Sequence, residues 1–175
     1  MKSLNLGSGD KILQDCTNLD IVSGDGIDVV HDLEKTPYPF QDNEFDEVYA
    51  NHVLEHIGNI DGLFSELQRI CKDKAVVKIV VPYFCSPAYN IDPSHRRKFN
   101  LQTCEAYTPD SNYPYKLNFR ILRRRLMFLS NRGFMKSRSR VLDFLINLSP
   151  RLYERVFCYS LPCSELHVEM MVHKR

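Results

Sequence analysis

Residues 45–82 hold the segment that most constrains the fold. FDEVYA (Phe45–Ala50) reads as a strand. Ile60, Leu63, Phe64, Leu67 and Ile70 then recur at spacings of three and four, and AVVKIVV (Ala75–Val81) is an almost unbroken β-branched run closed by Pro82. The middle portion makes one apolar helical face. Asp61 lies near its start, where a carboxylate suits the helix dipole, and Lys72, Asp73 and Lys74 close it. A strand as apolar as Ala75–Val81 suits a central position covered on both faces. Strand, crossover helix and buried strand together are the unit of a parallel α/β sheet.

The flanking sequence extends that unit. Leu4–Leu6, Asn18–Val22 and Gly26–Val30 read as three short strands ahead of it, and HDLEKTPYPFQDNEF as an irregular loop. Strands one and two are separated by only about ten residues, the short limit for a parallel crossover, so a helix there must be reduced. In the last third, Asn118–Leu129 reads as an edge strand and Val141–Cys158 as a helical face broken at Pro150. Glu165–His173 reads as a final, antiparallel strand. The expected fold is α/β and Rossmann-like: a mostly parallel seven-stranded sheet with helices on both faces, the first crossover helix reduced and the last strand antiparallel. Residues 1–175 read as one domain, with a cofactor-binding core over 1–107 and substrate-side elements over 108–175 that complete the sheet.

Composition narrows the classes. No apolar run reaches eighteen residues, and no basic start leads into a long apolar stretch, so neither a transmembrane helix nor a signal peptide is expected. The six cysteines are scattered without a CxxC pair, which fits neither a zinc site nor a disulfide framework and points to a cytosolic protein. Charge is uneven. Residues 1–66 carry fourteen acidic against three basic residues; residues 116–140 carry nine basic and none acidic. For that basic stretch an edge strand guarded by Arg123, Arg124 and Arg125 ranks first. Contact of 116–158 with an anionic membrane surface, at its inner face, ranks second, and nucleic acid last.

In a parallel sheet, ligands bind beyond the carboxyl ends of the strands. After strand one come Gly7, Ser8 and Gly9, where backbone approaches a ligand closely. Asp20 ends strand two, as an acceptor for both hydroxyls of a ribose. After strand three, Asp32 can accept from an exocyclic amine and Leu33 can pack on a flat ring. Asn51 and His52 follow strand four. Each feature alone is more often structural; the signal is the order of all four.

LNLGSGD…NLDI…DVVHDL…FDEVYANHVLEHI…VVKIVVPYF resembles the class I S-adenosylmethionine-dependent methyltransferases over residues 3–107. The nearest resemblance is to the small methyltransferase-domain proteins found among polysaccharide and glycosyl-transfer genes. DPSHRRKF (Asp92–Phe99) is similar to a recurring motif of that subgroup. The resemblance implies S-adenosylmethionine as cofactor. Gly7, Ser8 and Gly9 would lie beside its amino-acid part, Asp20 at the ribose, Asp32 and Leu33 at the adenine, and Asn51 and His52 beside the methionine portion and methyl group. It also implies transfer to an oxygen of a sugar or glycolipid-type acceptor. Two positions depart from the pattern: Asn5 replaces the usual acid, and no third glycine follows Gly9. They keep open an inactive binding protein, beside methylation of a small phenolic or nucleic-acid acceptor.

A hydroxyl acceptor gains typically about 10²–10⁴-fold from a general base. His95 is the first candidate, with Asp92 nearby to orient it, and His52 the second. His56 shares a helical face with His52, but no third ligand at useful spacing is evident, so no metal is expected.

Overall fold

The computed structural model describes residues 1–114, 117–128 and 136–174. Seven strands form one sheet: β1 (Ser3–Leu6), β2 (Cys16–Asp20), β3 (Val29–Val30), β4 (Phe45–Asn51), β5 (Cys71–Pro82), β6 (Phe119–Met127) and β7 (Glu165–Val172). Their order is β3-β2-β1-β4-β5-β7-β6. β1 to β5 are parallel, and β7 runs antiparallel to both β5 and β6. The chain moves outward from β1 to β3, then returns to β4 on the other side of β1. That reversal is the topological switch point, where a crevice opens beyond the strand ends.

Helix α1 (Ile60–Ile70) is the expected crossover. It buries Ile60, Leu63, Phe64, Leu67 and Ile70. Phe64 stacks on Tyr107 and meets Phe119 of β6 edge-on. The Asn59 side chain caps α1 by accepting from Gly62 N–H at 3.1 Å. Asn59→Ala is expected to cost about 1 kcal/mol in a urea melt; an unchanged midpoint would show that the cap contributes nothing.

Two further helices, α2 (Lys136–Leu148) and α3 (Pro150–Val156), join β6 to β7. Ile146 and Tyr153 sink into the same core as α1, with Tyr153 beside Tyr83 at the end of β5. The edge of β6 is partly closed by one side chain. Asn147 accepts from Leu126 N–H at 2.9 Å and donates to Leu126 C=O at 2.7 Å, as a neighbouring strand would. Arg123 and Arg125 are exposed on this strand, whereas Arg124 turns inward to Leu101 C=O and Glu105. Residues 116 and 129–135 of the basic stretch lie outside the described residues.

Register explains the two faces. Leu6, Ala50, Ile79 and Val168 form one buried row, and Leu4, Val48, Val77 and Met170 the next. The three helices lie over this side. On the other side a polar row crosses six strands: Asn18, Asn5, Tyr49, Lys78, Glu169 and Arg123. Lys78 pairs with Glu47, and its ammonium lies over the Tyr49 ring. Helices were expected on both faces; among the described residues they cover one. β5 follows the same rule. Its residues 76, 78 and 80 are half-exposed between buried neighbours, rather than covered on both sides.

The link between β1 and β2 carries no helix at all. A buried amide network holds it instead. Asn18 Oδ1 accepts from Asn5 Nδ2 (2.9 Å) and Leu13 N–H (3.0 Å), and Asn5 Nδ2 also reaches Lys11 C=O at 2.8 Å. Asn5, which departs from the family pattern, is therefore a builder of the short loop.

Candidate active site

The carboxyl ends of β3, β2, β1, β4 and β5 lie along one edge in that order. At β1, Gly7 and Gly9 both adopt left-handed backbone, with φ of 59° and 49°. They differ in surroundings. A Cβ on Gly7 would stand 2.3 Å from Val53 Cγ2, while a Cβ on Gly9 would meet nothing within 4 Å. Gly7 is thus shaped by internal packing, and Gly9 faces open space. Ser8 is buried; its N–H and hydroxyl both donate to Leu19 C=O, at 3.0 and 3.3 Å. It fastens the turn to β2.

Asp20 closes this turn from the next strand. Oδ2 accepts from Gly9 N–H at 2.8 Å and Oδ1 from Val22 N–H at 3.1 Å. Each oxygen keeps a second lone-pair direction. β2 stops at Asp20, not at Val22 as the sequence suggested, and leaves Ile21 and Val22 well exposed beside that carboxylate. Sequence reading missed this pair because it placed them inside the strand; only the strand boundary could have revealed them. Asp32 Oδ1 accepts from Glu34 N–H at 3.0 Å, and its side chain is partly exposed. Leu33 is 5% exposed and lies in the core, with its carbonyl accepting from Tyr38 OH at 3.0 Å.

Asn51 is half-buried at the end of β4 and, with Tyr49, Lys78 and His167, lines an opening of about 290 Å³ on the polar face. His52 has a left-handed φ of 53°, and its N–H donates to Val80 C=O at 2.8 Å. Its ring stands between two carboxylates: Nε2 is 3.3 Å from Glu165 and Nδ1 is 3.3 Å from Glu55. The contact with Glu165, then that with Glu55, pushes its pKa up to about 9. A protonated imidazole has no lone pair, so the expected role of His52 as a second base is withdrawn. It is a charged tie between β4, the 3₁₀ turn Leu54–His56 and β7.

The loop after β5 is pinned to that turn. Arg96 and Arg97 N–H both donate to Glu55 C=O, at 2.8 and 3.2 Å. Arg96 also pairs with Glu34 at 2.9 Å, Arg97 Nη2 donates to Gly58 C=O at 3.0 Å, and Lys98 lies over the Tyr89 ring. The His95 side chain is 8% exposed. Tyr89 C=O at 2.8 Å, not Asp92, faces Nδ1; Asp92 lies 3.9 Å from Nε2. A carbonyl can only accept, so Nδ1 carries hydrogen and the lone pair of the neutral ring falls on Nε2. His56 stands beside it, ring centroids 4.8 Å apart.

A glycine turn after β1, a carboxylate ending β2 and a second carboxylate after β3 stand in order along this edge. Residues 11–79 match the family described as "Methyltransferase domain", a span that includes Asp20, Asp32, Asn51 and His52 and begins just after the glycine turn. This segment carries the methyltransferase-domain signature, and the chain as a whole has the fold of S-adenosylmethionine-dependent methyltransferases. A SAM-dependent methyltransferase from Archaeoglobus fulgidus is similar at a TM-score of 0.60 and 16% identity, covering 97% of this chain and 85% of that one. One from Mesorhizobium loti gives 0.58 and 15%, covering 97% and 90%. A phosphoethanolamine N-methyltransferase 2 of Haemonchus contortus, in complex with S-adenosyl-L-methionine, gives 0.58 and 13%, covering all of this chain and 49% of that one. No curated protein matches the sequence significantly.

Proposed function

We propose that this methyltransferase acts on an oxygen of a glycolipid-type acceptor presented at an anionic membrane surface. The observation that carries the reading is the outer side of α2 and α3. Val141, Phe144, Leu145, Leu148, Leu152 and Val156 are each more than half exposed. The exposed charges among residues 140–159 are Arg140, Arg151 and Arg155. An apolar helix face flanked by arginine suits burial at a headgroup boundary. No helix among the described residues is long and apolar enough to cross a membrane.

Cofactor contacts follow from the strand ends. Gly9 offers backbone before open space. Asp20 has acceptor capacity left for ribose hydroxyls, and Ile21 and Val22 offer the exposed apolar surface an adenine ring needs. That surface takes the part first given to the buried Leu33. Bound S-adenosylmethionine supplies a methyl group already activated by its sulfonium charge. The protein's share is alignment, which alone removes roughly 7–11 kcal/mol of barrier in well-oriented reactions. With His52 protonated, His56 and His95 are the imidazoles on the acceptor side.

Calorimetric titration with S-adenosylmethionine should give one site, and Asp20→Ala should weaken it at least about 10-fold by removing the hydroxyl acceptor. Equal affinity in that variant would reject the assignment. Separately, the protein should sediment with vesicles containing phosphatidylglycerol and not with phosphatidylcholine alone, and Phe144→Asp with Leu148→Asp should abolish this. Binding unaffected by that pair would refute the surface role of α2.

A further inference from the structure

We propose that Glu55, His56 and His95 form a binding site for a divalent transition-metal ion. One ligand atom from each lies within 4.8 Å of the others. Zinc held by nitrogen and oxygen at 2.0–2.1 Å has donor atoms about 3.4 Å apart, so the three side chains need to close by only about 1 Å.

The strongest sign is Glu55. It is 0% exposed, and neither carboxylate oxygen accepts a hydrogen bond. Among the described residues its ion pair is with His52, 3.3 Å from Oε1, and the same ring also faces Glu165. One imidazole thus stands between two carboxylates. The shared imidazole reaches Oε1 alone and leaves Oε2 buried with no partner, and a metal cation is one of the few groups that satisfies such an oxygen.

Both histidines are set for coordination. Asp92 accepts from the Ser94 hydroxyl at 2.6 Å, so Ser94 Oγ has its lone pairs left for His56 Nδ1, 2.9 Å away. His56 Nδ1 therefore carries hydrogen, as His95 Nδ1 does toward Tyr89 C=O. In both neutral rings the lone pair rests on Nε2. A histidine that donates its other N–H to a carbonyl, or through a hydroxyl to a carboxylate, is oriented as metal ligands usually are. Two imidazoles and one carboxylate select zinc, iron(II), cobalt or nickel over magnesium or calcium. Asp92, half-exposed and 3.9 Å from His95 Nε2, is the nearest fourth ligand, and its exposure gives the ion a path in.

The third ligand is what the spacing of His52 and His56 does not supply. It comes from the loop after β5, and the partner of His56 is His95 rather than His52. The site stands independently of the cofactor and acceptor readings.

The test uses the untagged full chain, stripped with EDTA and titrated with zinc, then with cobalt to read the ligand-field spectrum. One equivalent should bind without thiolate charge-transfer bands. His56→Ala and His95→Ala should each weaken binding at least about 100-fold. Ser94→Ala, which leaves every ligand in place, should weaken it about 10–100-fold. His56 is partly exposed, Ser94 is exposed and the His95 side chain is largely buried, and the melting curves of all three variants report whether they fold. Less than one equivalent bound, thiolate bands, or affinity unchanged from the parent in either histidine variant would overturn the site.

Discussion

Gly7→Ala lowers the unfolding free energy by about 2–5 kcal/mol, the largest effect expected from a single methyl group here. About 1–2 kcal/mol comes from holding an L-residue in left-handed backbone, and about 1–3 from overpacking. The second part is specific. The new Cβ would meet Val53 Cγ2 at 2.3 Å and Cβ at 2.8 Å, and a β-branched side chain has few rotamers in which to retreat. Gly9→Ala isolates the first part, since open space lies before it, and should cost about 1–2 kcal/mol. Denaturant melts of both variants, with Val53→Ala added to Gly7→Ala, form the test. Rescue by Val53→Ala confirms the clash. Equal losses at Gly7 and Gly9 would mean that Val53 yields freely.

The second large effect concerns acid. Burial alone would raise the Glu165 carboxyl, but hydrogen bonds from His167 and His52 outweigh it and bring the pKa down from 4.5 to about 2. A carboxyl depressed in the folded state stabilises above its unfolded pKa, and that contribution disappears as pH falls through the folded one. The window is therefore pH 4.5 down to about 2. A shift of this size is worth about 3 kcal/mol, counted once for Glu165 and not again for His52. Glu165→Gln should be less stable than the parent by that order at pH 7, with the gap closing across the window. Other carboxylates titrate in both proteins and cancel in the difference. A gap that stays constant from pH 7 to pH 2 would show that the ion pairs do not hold β7 to β4.

The parts of the fold that were legible are those that short-range patterns encode. The α1 period and the β-branched run of β5 fix a crossover, and the strand order follows from where the short early strands must go. The β1–β2 loop was legible only as a length. That Asn5 and Asn18 replace a helix is a tertiary fact, because either amide alone reads as an ordinary turn residue. At the site, the strand-end rule singled out Gly9 and Asp20 one by one, while the bond between that backbone N–H and that carboxylate is a tertiary fact it does not contain. Leu33 and His52 show the rule's limit. Position after a strand does not tell whether a side chain points inward or is already paired. His95 shows a second limit: its neighbours Tyr89 and His56 are brought by a loop whose path no periodicity records.

The polar row across the second sheet face has an architectural consequence. A sheet that keeps that face wetted does not need a second layer of helices to hide it. The connections from β1 to β3 need only turn the chain, and seven strands are completed with few residues spent between the first three. The economy is self-locking. Laying a helix over that face would strip water from Lys78, Glu169 and Arg123 together, so adding a second helical layer would require exchanging the whole row at once, strand by strand, for apolar side chains.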